Sequence, residues 1–195
     1  VAIKKKNILI TGGAGFIGLS LAKYLSKKNY RIYIIDNLSR GKFDKELKNL
    51  LKKKNVTFYK RNLNEKINLK IKNISHIFHL AGSVGVKNIN KDPYGSFFNN
   101  IISLKNTVDS FQKKRQKIKV ILFSTSEVYS TIIQEKKVKF PIKESNSILI
   151  KNDIIERDAY YLSKIFNEKI LQLSNLNYLI LRPHNIYGPR MGFSH

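Results

Sequence analysis

The most restrictive feature of the sequence is the glycine-rich segment at residues 11–18, TGGAGFIG, directly behind the apolar run at residues 8–10. This order predicts a strand, a tight turn and the first turn of a helix. Gly12, Gly15 and Gly18 allow a tight exit from the strand, close approach of the backbone to a pyrophosphate, and close packing of the helix on the sheet. Free N–H groups at the helix start supply the partial positive charge that a phosphate requires.

An acidic residue, Asp36, stands at the end of the next apolar run, residues 32–35. It lies about 20 residues beyond the turn, where a carboxylate accepts a hydrogen bond from a ribose 2′-hydroxyl and repels a 2′-phosphate. A glycine turn that only packs a helix on a sheet is the alternative, but it does not explain Asp36. The two features together predict dinucleotide binding.

Apolar runs alternate with helical patterns along the whole chain, and the strand candidates are residues 7–10, 31–35, 56–60, 76–80, 118–123 and 177–182. This alternation predicts an α/β fold with a doubly wound parallel sheet of order 3-2-1-4-5-6. Helices cover both faces, and the ligand lies at the carboxyl ends around the first and fourth strands. We therefore expect residues 1–195 to form one dinucleotide-binding domain.

Two helices carry recognisable apolar stripes. The first is predicted to bury Ile17, Leu21, Tyr24 and Leu25, and the last, over residues 158–175, to bury Leu162, Ile165, Phe166, Ile170 and Leu173. A third long helix is predicted over residues 93–115. Residues 130–157 contain charges, a proline and scattered isoleucines, which indicates an irregular insertion beside the site.

The chain has a formal net charge of +24, from 37 basic and 13 acidic residues. Lysines outnumber arginines 30 to 7 and are scattered through every segment, whereas arginine is favoured for bidentate phosphate recognition. We therefore expect a solvated basic surface and no specific nucleic-acid partner. Such a surface could still attract an anionic nucleotide substrate.

The chain contains no cysteine, which excludes disulfides and thiolate metal sites and fits a reducing cytoplasm. We expect no metal site. No apolar stretch approaches the ~20 residues of a membrane span, and the start lacks a signal-peptide core, so we expect a cytoplasmic protein without membrane association. Because the chain begins at Val1 and stops at His195, just after a Gly-Pro-Arg segment, we expect a fragment that lacks its C-terminal part.

A hydroxyl-rich segment, STSEVY at residues 124–129, follows the fifth strand, and YYLSK at residues 160–164 opens a helix. Tyr160 and Lys164 are four residues apart, so the ammonium can lie near the phenol. A tyrosine pKa of about 10 makes a poor base, and a neighbouring ammonium together with the positive ring of a nicotinamide is expected to lower it. Thr125 could then hold a substrate oxygen while Tyr160 removes its proton. The alternative is a tyrosine–lysine pair on a solvated helix face.

In its glycine turn, in the DNLSRG segment at residues 36–41 and in HLAG at residues 79–82, the chain resembles the extended short-chain dehydrogenase/reductase superfamily. The segment 124–129, the Tyr160-x-x-x-Lys164 pair and the segment RPHNIYGPRM at residues 182–191 continue the family's order to the end of the chain. The branch resembled is that of the NAD-dependent nucleotide-sugar epimerases and dehydratases. The resemblance implies a Rossmann fold and a C-terminal substrate-binding part that is absent here.

The resemblance implies NAD as the cofactor and assigns contacts with it to Gly12, Gly15, Phe16, Ile17, Gly18, Asp36, Asn37, Ser39, Arg40, Gly41, Leu80, Ala81, Gly82, Asn100, Ser124, Tyr160, Lys164 and Pro183. Asn62 and Leu63 stand where the family has an Asp and an apolar residue beside the adenine. The Asn62 amide oxygen can still accept the adenine amino hydrogen. Contacts with a nucleotide-sugar substrate are assigned to Thr125, Asn185 and Arg190.

The resemblance also implies a reaction. Tyr160, aided by Lys164 and Thr125, removes the proton of the hydroxyl on hexose carbon 4 while the hydride passes to NAD, which gives a 4-keto intermediate. Ser126 stands where dehydratases have an Asp, and it is a poor general acid, so dehydration is disfavoured. The segment 125–129 resembles UDP-glucuronate decarboxylases, with Glu127 as a candidate base, whereas segment 182–191 also suits UDP-sugar 4-epimerases.

The choice between epimerase and decarboxylase stays open at this point. Glu127 could instead be a carboxylate bound to loop backbone. Two further alternatives are an NAD-dependent reductase of a small carbonyl and a non-catalytic dinucleotide-binding protein. The family resemblance implies a role in surface polysaccharide synthesis and a homodimer formed through helices 93–115 and 158–175.

Overall fold

A computed structural model describes residues 6–69, 71–112 and 117–191. Six strands form one parallel sheet of order β3-β2-β1-β4-β5-β6. The strands are β1 (Lys6–Thr11), β2 (Tyr30–Asp36), β3 (Val56–Lys60), β4 (Ile74–His79), β5 (Lys119–Phe123) and β6 (Asn177–Leu181). This topology confirms the predicted doubly wound sheet, and the reversal of strand order falls between β1 and β4.

Helices cover both faces of the sheet. They are α1 (Phe16–Ser26), α2 (Lys45–Leu51), α3 (Val86–Lys91), α4 (Pro93–Gln112), α5 (Ser130–Gln134) and α6 (Asp158–Leu173), with a 3₁₀ helix at Ser126–Tyr129. One core cluster joins α1 and α2 to one face, and a second joins α4 and α6 to the other. The long helices predicted over residues 93–115 and 158–175 are confirmed as α4 and α6. Residues 113–115 of the first prediction lie outside the described part of the chain.

The predicted apolar stripe of α1 is confirmed only in part, because Leu25 is buried and Leu21 packs against the core but Tyr24 does not. The buried face of this helix carries Gly18, Leu19, Ala22 and Leu25, whereas Tyr24 is 60% exposed. The close approach of α1 at Gly18 turns that side of the helix toward the sheet, and small residues at positions 18 and 22 fit there. In α6, Leu162 and Ile165 are buried as predicted, but Phe166 and Leu173 are exposed.

The segment 130–157 is only partly irregular, because it begins with the short helix α5. Its later apolar residues Val138, Ile142 and Leu149 pack against a small cluster under the start of α6. The segment 130–157 therefore covers the β5 and α6 side of the carboxyl edge of the sheet, beside the predicted site.

Among the described residues, no helix is long and apolar enough to cross a membrane.

Candidate active site

The glycine turn between β1 and α1 lies close to the end of β4. Gly12 has a φ of +68°, and a Cβ built there would lie 2.7 Å from the amide nitrogen of Ala81. A Cβ at Gly18 would overlap the carbonyl oxygen of Gly12. Gly15 is the N-cap of α1, and no side chain in the described part of the protein caps this helix end. The first-turn N–H groups of α1 are thus available to a pyrophosphate.

Asp36 ends β2 with its carboxylate beside this turn. Its Oδ2 accepts the N–H of Ala14 at 3.0 Å and its Oδ1 accepts that of Leu38 at 2.8 Å. Each oxygen retains acceptor capacity, so the carboxylate can still bind a ribose hydroxyl. Gly41 closes the same side, because a Cβ there would lie 2.8 Å from the Ala14 Cβ.

The predicted catalytic residues meet between the end of β5 and the start of α6. Thr125 accepts the N–H of Glu127 at 3.3 Å, and its hydroxyl is close enough to the Tyr160 phenol to lower the pKa of the phenol. Lys164 lies 5.7 Å from the centroid of the Tyr160 ring and donates to the Phe123 carbonyl at 3.0 Å. Glu127 is near enough for its charge to act on the phenol. The structure thus brings Thr125, Glu127, Tyr160 and Lys164 together.

The Lys164 ammonium does not by itself produce the predicted lowering of the Tyr160 pKa. Burial raises the pKa of the phenol above its ordinary value, and the negative charge of Glu127 raises it further. The hydrogen bond from Thr125 and the positive charge of Arg40 lower it by less. The Lys164 ammonium is itself buried and hydrogen-bonded to backbone. Burial of the phenol is the largest of the effects on the Tyr160 pKa. A further positive charge beside the phenol is needed to favour the phenolate.

Two buried bases lie near each other behind the phenol. Burial lowers the pKa of Lys164 to about 8. Burial, together with the charge of Lys164, lowers the pKa of His79 to about 3. The neutral His79 ring places Nδ1 3.0 Å from the Thr11 hydroxyl, while its Nε2 has no hydrogen-bond partner among the described residues. His79 therefore adds no second positive charge beside the ammonium.

Replacing Lys164 by methionine is expected to raise the free energy of unfolding at neutral pH by up to about 3 kcal/mol, less the cost of leaving the Phe123 carbonyl without its donor. The folded-state pKa of Lys164, about 8, lies below the ordinary 10.5. Between these values the unfolded chain binds more protons, so the stability of the unmodified chain rises with pH across this window. Below pH 8 the buried Lys164 ammonium lowers the free energy of unfolding by its full amount.

Urea unfolding of both proteins from pH 7 to pH 10.5 measures this difference, which should shrink as the pH rises through the window. The matched control is Lys169→Met, an exposed lysine on the same helix. A Lys164→Met difference that stays constant with pH would contradict the expectation.

Asn100 on α4 supports the loop that follows β4. Its Nδ2 donates to the Ser163 hydroxyl at 2.9 Å and to the Ser83 carbonyl at 3.2 Å. A Cβ at Gly82 would lie 2.9 Å from the Asn100 Oδ1 and 3.6 Å from the Lys164 Nζ. Gly82 therefore allows the loop to approach the lysine, and Asn100 holds it there.

Several residues predicted to contact the adenosine part of a cofactor are already engaged within the protein. Asn62 accepts the N–H of Asn64 at 3.1 Å, and Asn37 accepts that of Ser39 at 2.9 Å. The Leu63 side chain belongs to the hydrophobic core. These residues shape loops at the carboxyl edge of the sheet, and their contact with a cofactor stays a prediction.

The final described segment runs from the end of β6 back to the glycine turn. The Pro183 carbonyl accepts the N–H of Ser126 at 3.0 Å. Arg190 forms an ion pair with Asp44 and donates to the Ala14 carbonyl at 3.1 Å. The structure thus places Arg190 at the glycine turn and the start of α2, and its contact with a substrate stays a prediction.

The remaining predicted residues border the same edge of the sheet. Phe16, Ile17, Leu80 and Ala81 are half-buried, and Ser39, Arg40 and Asn185 are exposed. A Cβ at Gly85 would lie 3.6 Å from the Arg40 guanidinium, so Arg40 reaches across toward the loop after β4. Its positive charge consequently acts on the Tyr160 phenol.

A buried ion pair that the sequence patterns did not predict lies behind the site. Glu168, on α6, is fully buried, and the Arg182 guanidinium contacts both of its carboxylate oxygens, at 2.9 and 2.6 Å. The Ser124 hydroxyl donates to Glu168 at 2.6 Å, and the contact of Ser124 with a cofactor stays a prediction. The available signal was the spacing, since Glu168 follows Tyr160 and Lys164 at intervals of four on one helix face.

These features define a class of protein. A parallel sheet with a glycine turn after β1, an acid after β2 and a tyrosine–lysine pair beyond β5 is the architecture of a dinucleotide-binding domain. The sequence profile of the NAD dependent epimerase/dehydratase family matches residues 8–195. The chain therefore belongs to that family.

Relatives within the family carry out different reactions. The chain is 33% identical over 194 residues to the UDP-N-acetyl-alpha-D-glucosaminuronate decarboxylase of Bacillus cytotoxicus, covering 95% of this chain and 56% of the relative. It is 35% identical over 196 residues to the dTDP-D-glucose 4,6-dehydratase of Dictyostelium discoideum, covering 95% of this chain and 45% of the relative. The chain thus spans about half the length of the curated relatives it matches.

A solved structure has the same fold as this chain. The UDP-N-acetylglucosamine 4-epimerase of Methanobrevibacter ruminantium M1, in complex with UDP-N-acetylmuramic acid, superimposes with a TM-score of 0.78 and 31% identity. The match covers 96% of this chain and 57% of that structure. The family's cofactor is NAD, and the residues present fit it. At Gly12 and Gly18 a Cβ would meet backbone atoms, so glycine permits the tight turn that leaves the start of α1 without a side-chain cap, and Asp36 retains acceptor capacity toward a ribose.

Proposed function

We propose that this chain is the cofactor-binding and catalytic part of an enzyme that modifies a nucleotide sugar through oxidation at hexose carbon 4. The observation that carries the proposal is the meeting of Thr125, Tyr160 and Lys164 at the carboxyl edge of the sheet. The glycine turn and Asp36 lie along the same edge. Matched relatives of three reaction types act on nucleotide sugars according to their names, which supports this substrate class.

NAD, when bound, supplies the hydride acceptor and a positive charge. Tyr160 removes the proton of the carbon 4 hydroxyl, so that the C–O bond becomes a carbonyl as the hydride leaves carbon 4. The Thr125 hydroxyl holds the substrate oxygen beside the phenol, and Lys164 binds the nicotinamide ribose. The raised pKa of Tyr160 makes the phenolate unfavourable without that added charge, which restricts the base to the loaded enzyme.

The step after oxidation depends on residues beside the phenol. Glu127 lies close enough to the Tyr160 phenol for its charge to raise the pKa of the phenol. A carboxylate there can act on carbon 5 of the 4-keto sugar, whereas Ser126 is a poor general acid. We therefore favour a UDP-sugar 4-epimerase or a UDP-glucuronate decarboxylase over a dehydratase.

The direct test is to incubate the full-length protein, purified with its NAD, with a panel of UDP- and dTDP-hexoses and hexuronates. Mass spectrometry separates decarboxylation, which loses carbon dioxide, from epimerisation, which conserves mass. NMR then assigns the configuration at carbon 4. No conversion of any sugar, or net oxidation of added NADH by a small carbonyl substrate, would overturn the proposal.

We further propose a homodimer formed through α4 and α6. These helices expose a continuous aromatic patch, in which Tyr94 lies 4.7 Å from Phe98, and Phe97 lies 5.3 Å from Phe98 and 5.7 Å from Phe166 between ring centroids. Tyr94 is 76% exposed, and apolar patches of this kind mark association surfaces.

The compartment we propose is the cytoplasm, which the absence of cysteine supports.

Changing both Phe98 and Phe166 to glutamate is expected to convert the dimer into a monomer, because two carboxylates per subunit would be buried without partners. Sedimentation velocity measures the change in mass. The control is Tyr24→Glu, an exposed aromatic residue on α1, which should leave the dimer intact. A monomeric unmodified protein at micromolar concentration would contradict the proposal.

A further inference from the structure

The Glu168 carboxylate connects three separate elements behind the site. Its Oε1 accepts hydrogen bonds from the Ser124 hydroxyl at 2.6 Å and from the Arg182 Nε at 2.9 Å. Its Oε2 accepts from the Arg182 Nη2 at 2.6 Å. Ser124 follows β5, Arg182 follows β6, and Glu168 lies on α6. One buried acid thus joins the two strand ends to the helix that carries Tyr160 and Lys164.

Arg182 extends this network beneath the 3₁₀ helix. Its guanidinium lies 5.0 Å from the centroid of the Tyr129 ring and also donates to the Tyr129 hydroxyl. The backbone adds two links, from the Ser124 N–H to the Leu181 carbonyl at 2.8 Å and from the Ser126 N–H to the Pro183 carbonyl at 3.0 Å. The segment that presents Thr125 is therefore held on both sides.

We propose that Glu168 is a positioning residue, which fixes Thr125 against Tyr160 by anchoring the neighbouring Ser124 to the helix of the phenol. Thr125 directly follows Ser124, and Tyr160 lies two helical turns before Glu168. Any rotation or shift of α6 relative to the end of β5 would change the separation of the threonine hydroxyl from the phenol. This inference rests on the proposed function, because it assigns Glu168 to the same catalytic group.

Stability alone does not account for this arrangement. A buried ion pair is commonly no more stable than an apolar pair of similar volume, whereas its fixed geometry orients the groups that it joins. The chain has 13 acidic residues among 195, yet one of them is fully buried directly behind the tyrosine–lysine pair. Its hydrogen bonds go to the two strand ends at the site.

The Tyr160 phenol offers a local measurement of this role. The charged groups that act on it are Glu127 from the 3₁₀ helix and Arg40 from the loop after β2, while Lys164 lies beside its ring on α6. The hydrogen bond with Thr125 lowers the pKa of the phenol. Loosening Thr125 should therefore raise that pKa and change the magnetic environment of the tyrosine Cζ.

The test uses the full-length protein labelled with ¹³C at tyrosine Cζ, with the Tyr160 resonance assigned from its absence in Tyr160→Phe. Thr125→Val gives the position of this resonance without the hydrogen bond. Ser124→Ala and Glu168→Gln are expected to shift the resonance at pH 7 toward the Thr125→Val position. We expect the Tyr160 titration midpoint to rise by about one pH unit in Glu168→Gln, a tenfold change in proton affinity, and by less in Ser124→Ala.

The control variant is Leu47→Ala, which removes a fully buried side chain from the opposite face of the sheet. It should lower stability without moving the Tyr160 resonance. If Glu168→Gln does not fold, Ser124→Ala decides, because it keeps the ion pair. An unmoved Tyr160 resonance in a folded variant overturns the positioning role and leaves the proposed function intact. Full turnover by Tyr160→Phe overturns the proposed function instead.

Discussion

The Tyr160→Phe variant of the full-length protein is expected to lose turnover of its nucleotide sugar by about 10²–10⁴-fold, the usual contribution of a general base. The substitution removes one oxygen from a half-buried ring and leaves Thr125 and Lys164 in place. NAD retained through purification, measured by absorbance after denaturation, should be unchanged. Turnover is followed by the sugar product, since the reaction consumes no NAD.

The adjacent tyrosine provides a matched control. The Tyr161 hydroxyl is buried and has no hydrogen-bond partner in the described part of the chain. Tyr161→Phe removes the same atom type from the same helix one residue away, and it should leave turnover within about twofold, because a hydroxyl without a partner contributes no hydrogen bond. Equal losses in the two variants would show that the ring position, rather than the Tyr160 proton, accounts for the effect.

Periodicity and glycine spacing predicted the sheet because both signals are local. The run at residues 56–60 is the strand Val56–Lys60, and the turn at Gly12 has the left-handed backbone that only glycine adopts readily. The stripe of α1 was mispredicted at Tyr24 because hydrophobicity alone does not reveal which side of a helix approaches the sheet. The absence of a Cβ at Gly18 allows that side of α1 to approach the sheet, and Tyr24 consequently lies in solvent.

The site was predictable where residues follow strand ends, as Thr125 and Asp36 do. It was not predictable where long-range pairing decides the role of a side chain. Ser124 stands in the same segment as Thr125, yet its hydroxyl binds Glu168, which is 44 residues further along the chain. The direction of the Tyr160 pKa shift likewise depends on burial, which sequence spacing does not report.

The Gly18→Ala variant is expected to weaken NAD binding at least tenfold, which corresponds to about 1.4 kcal/mol, and to lower the free energy of unfolding by about 1–3 kcal/mol. The added methyl would overlap the Gly12 carbonyl oxygen and lie 2.7 Å from the Gly13 Cα. Both contacts are backbone, so the turn itself must move. The first-turn N–H groups of α1 would then leave the positions in which they meet a pyrophosphate.

Gly95→Ala on α4 is the control, because the added methyl meets only the carboxylate of the exposed Asp92, a flexible side chain that can rotate away. Isothermal titration of NAD into protein freed of cofactor, together with urea unfolding, separates the two effects of Gly18→Ala. If affinity fell only in proportion to the folded fraction, the turn would not contact the cofactor. A loss of affinity in fully folded Gly18→Ala, absent from Gly95→Ala, assigns the effect to the backbone that approaches the phosphates.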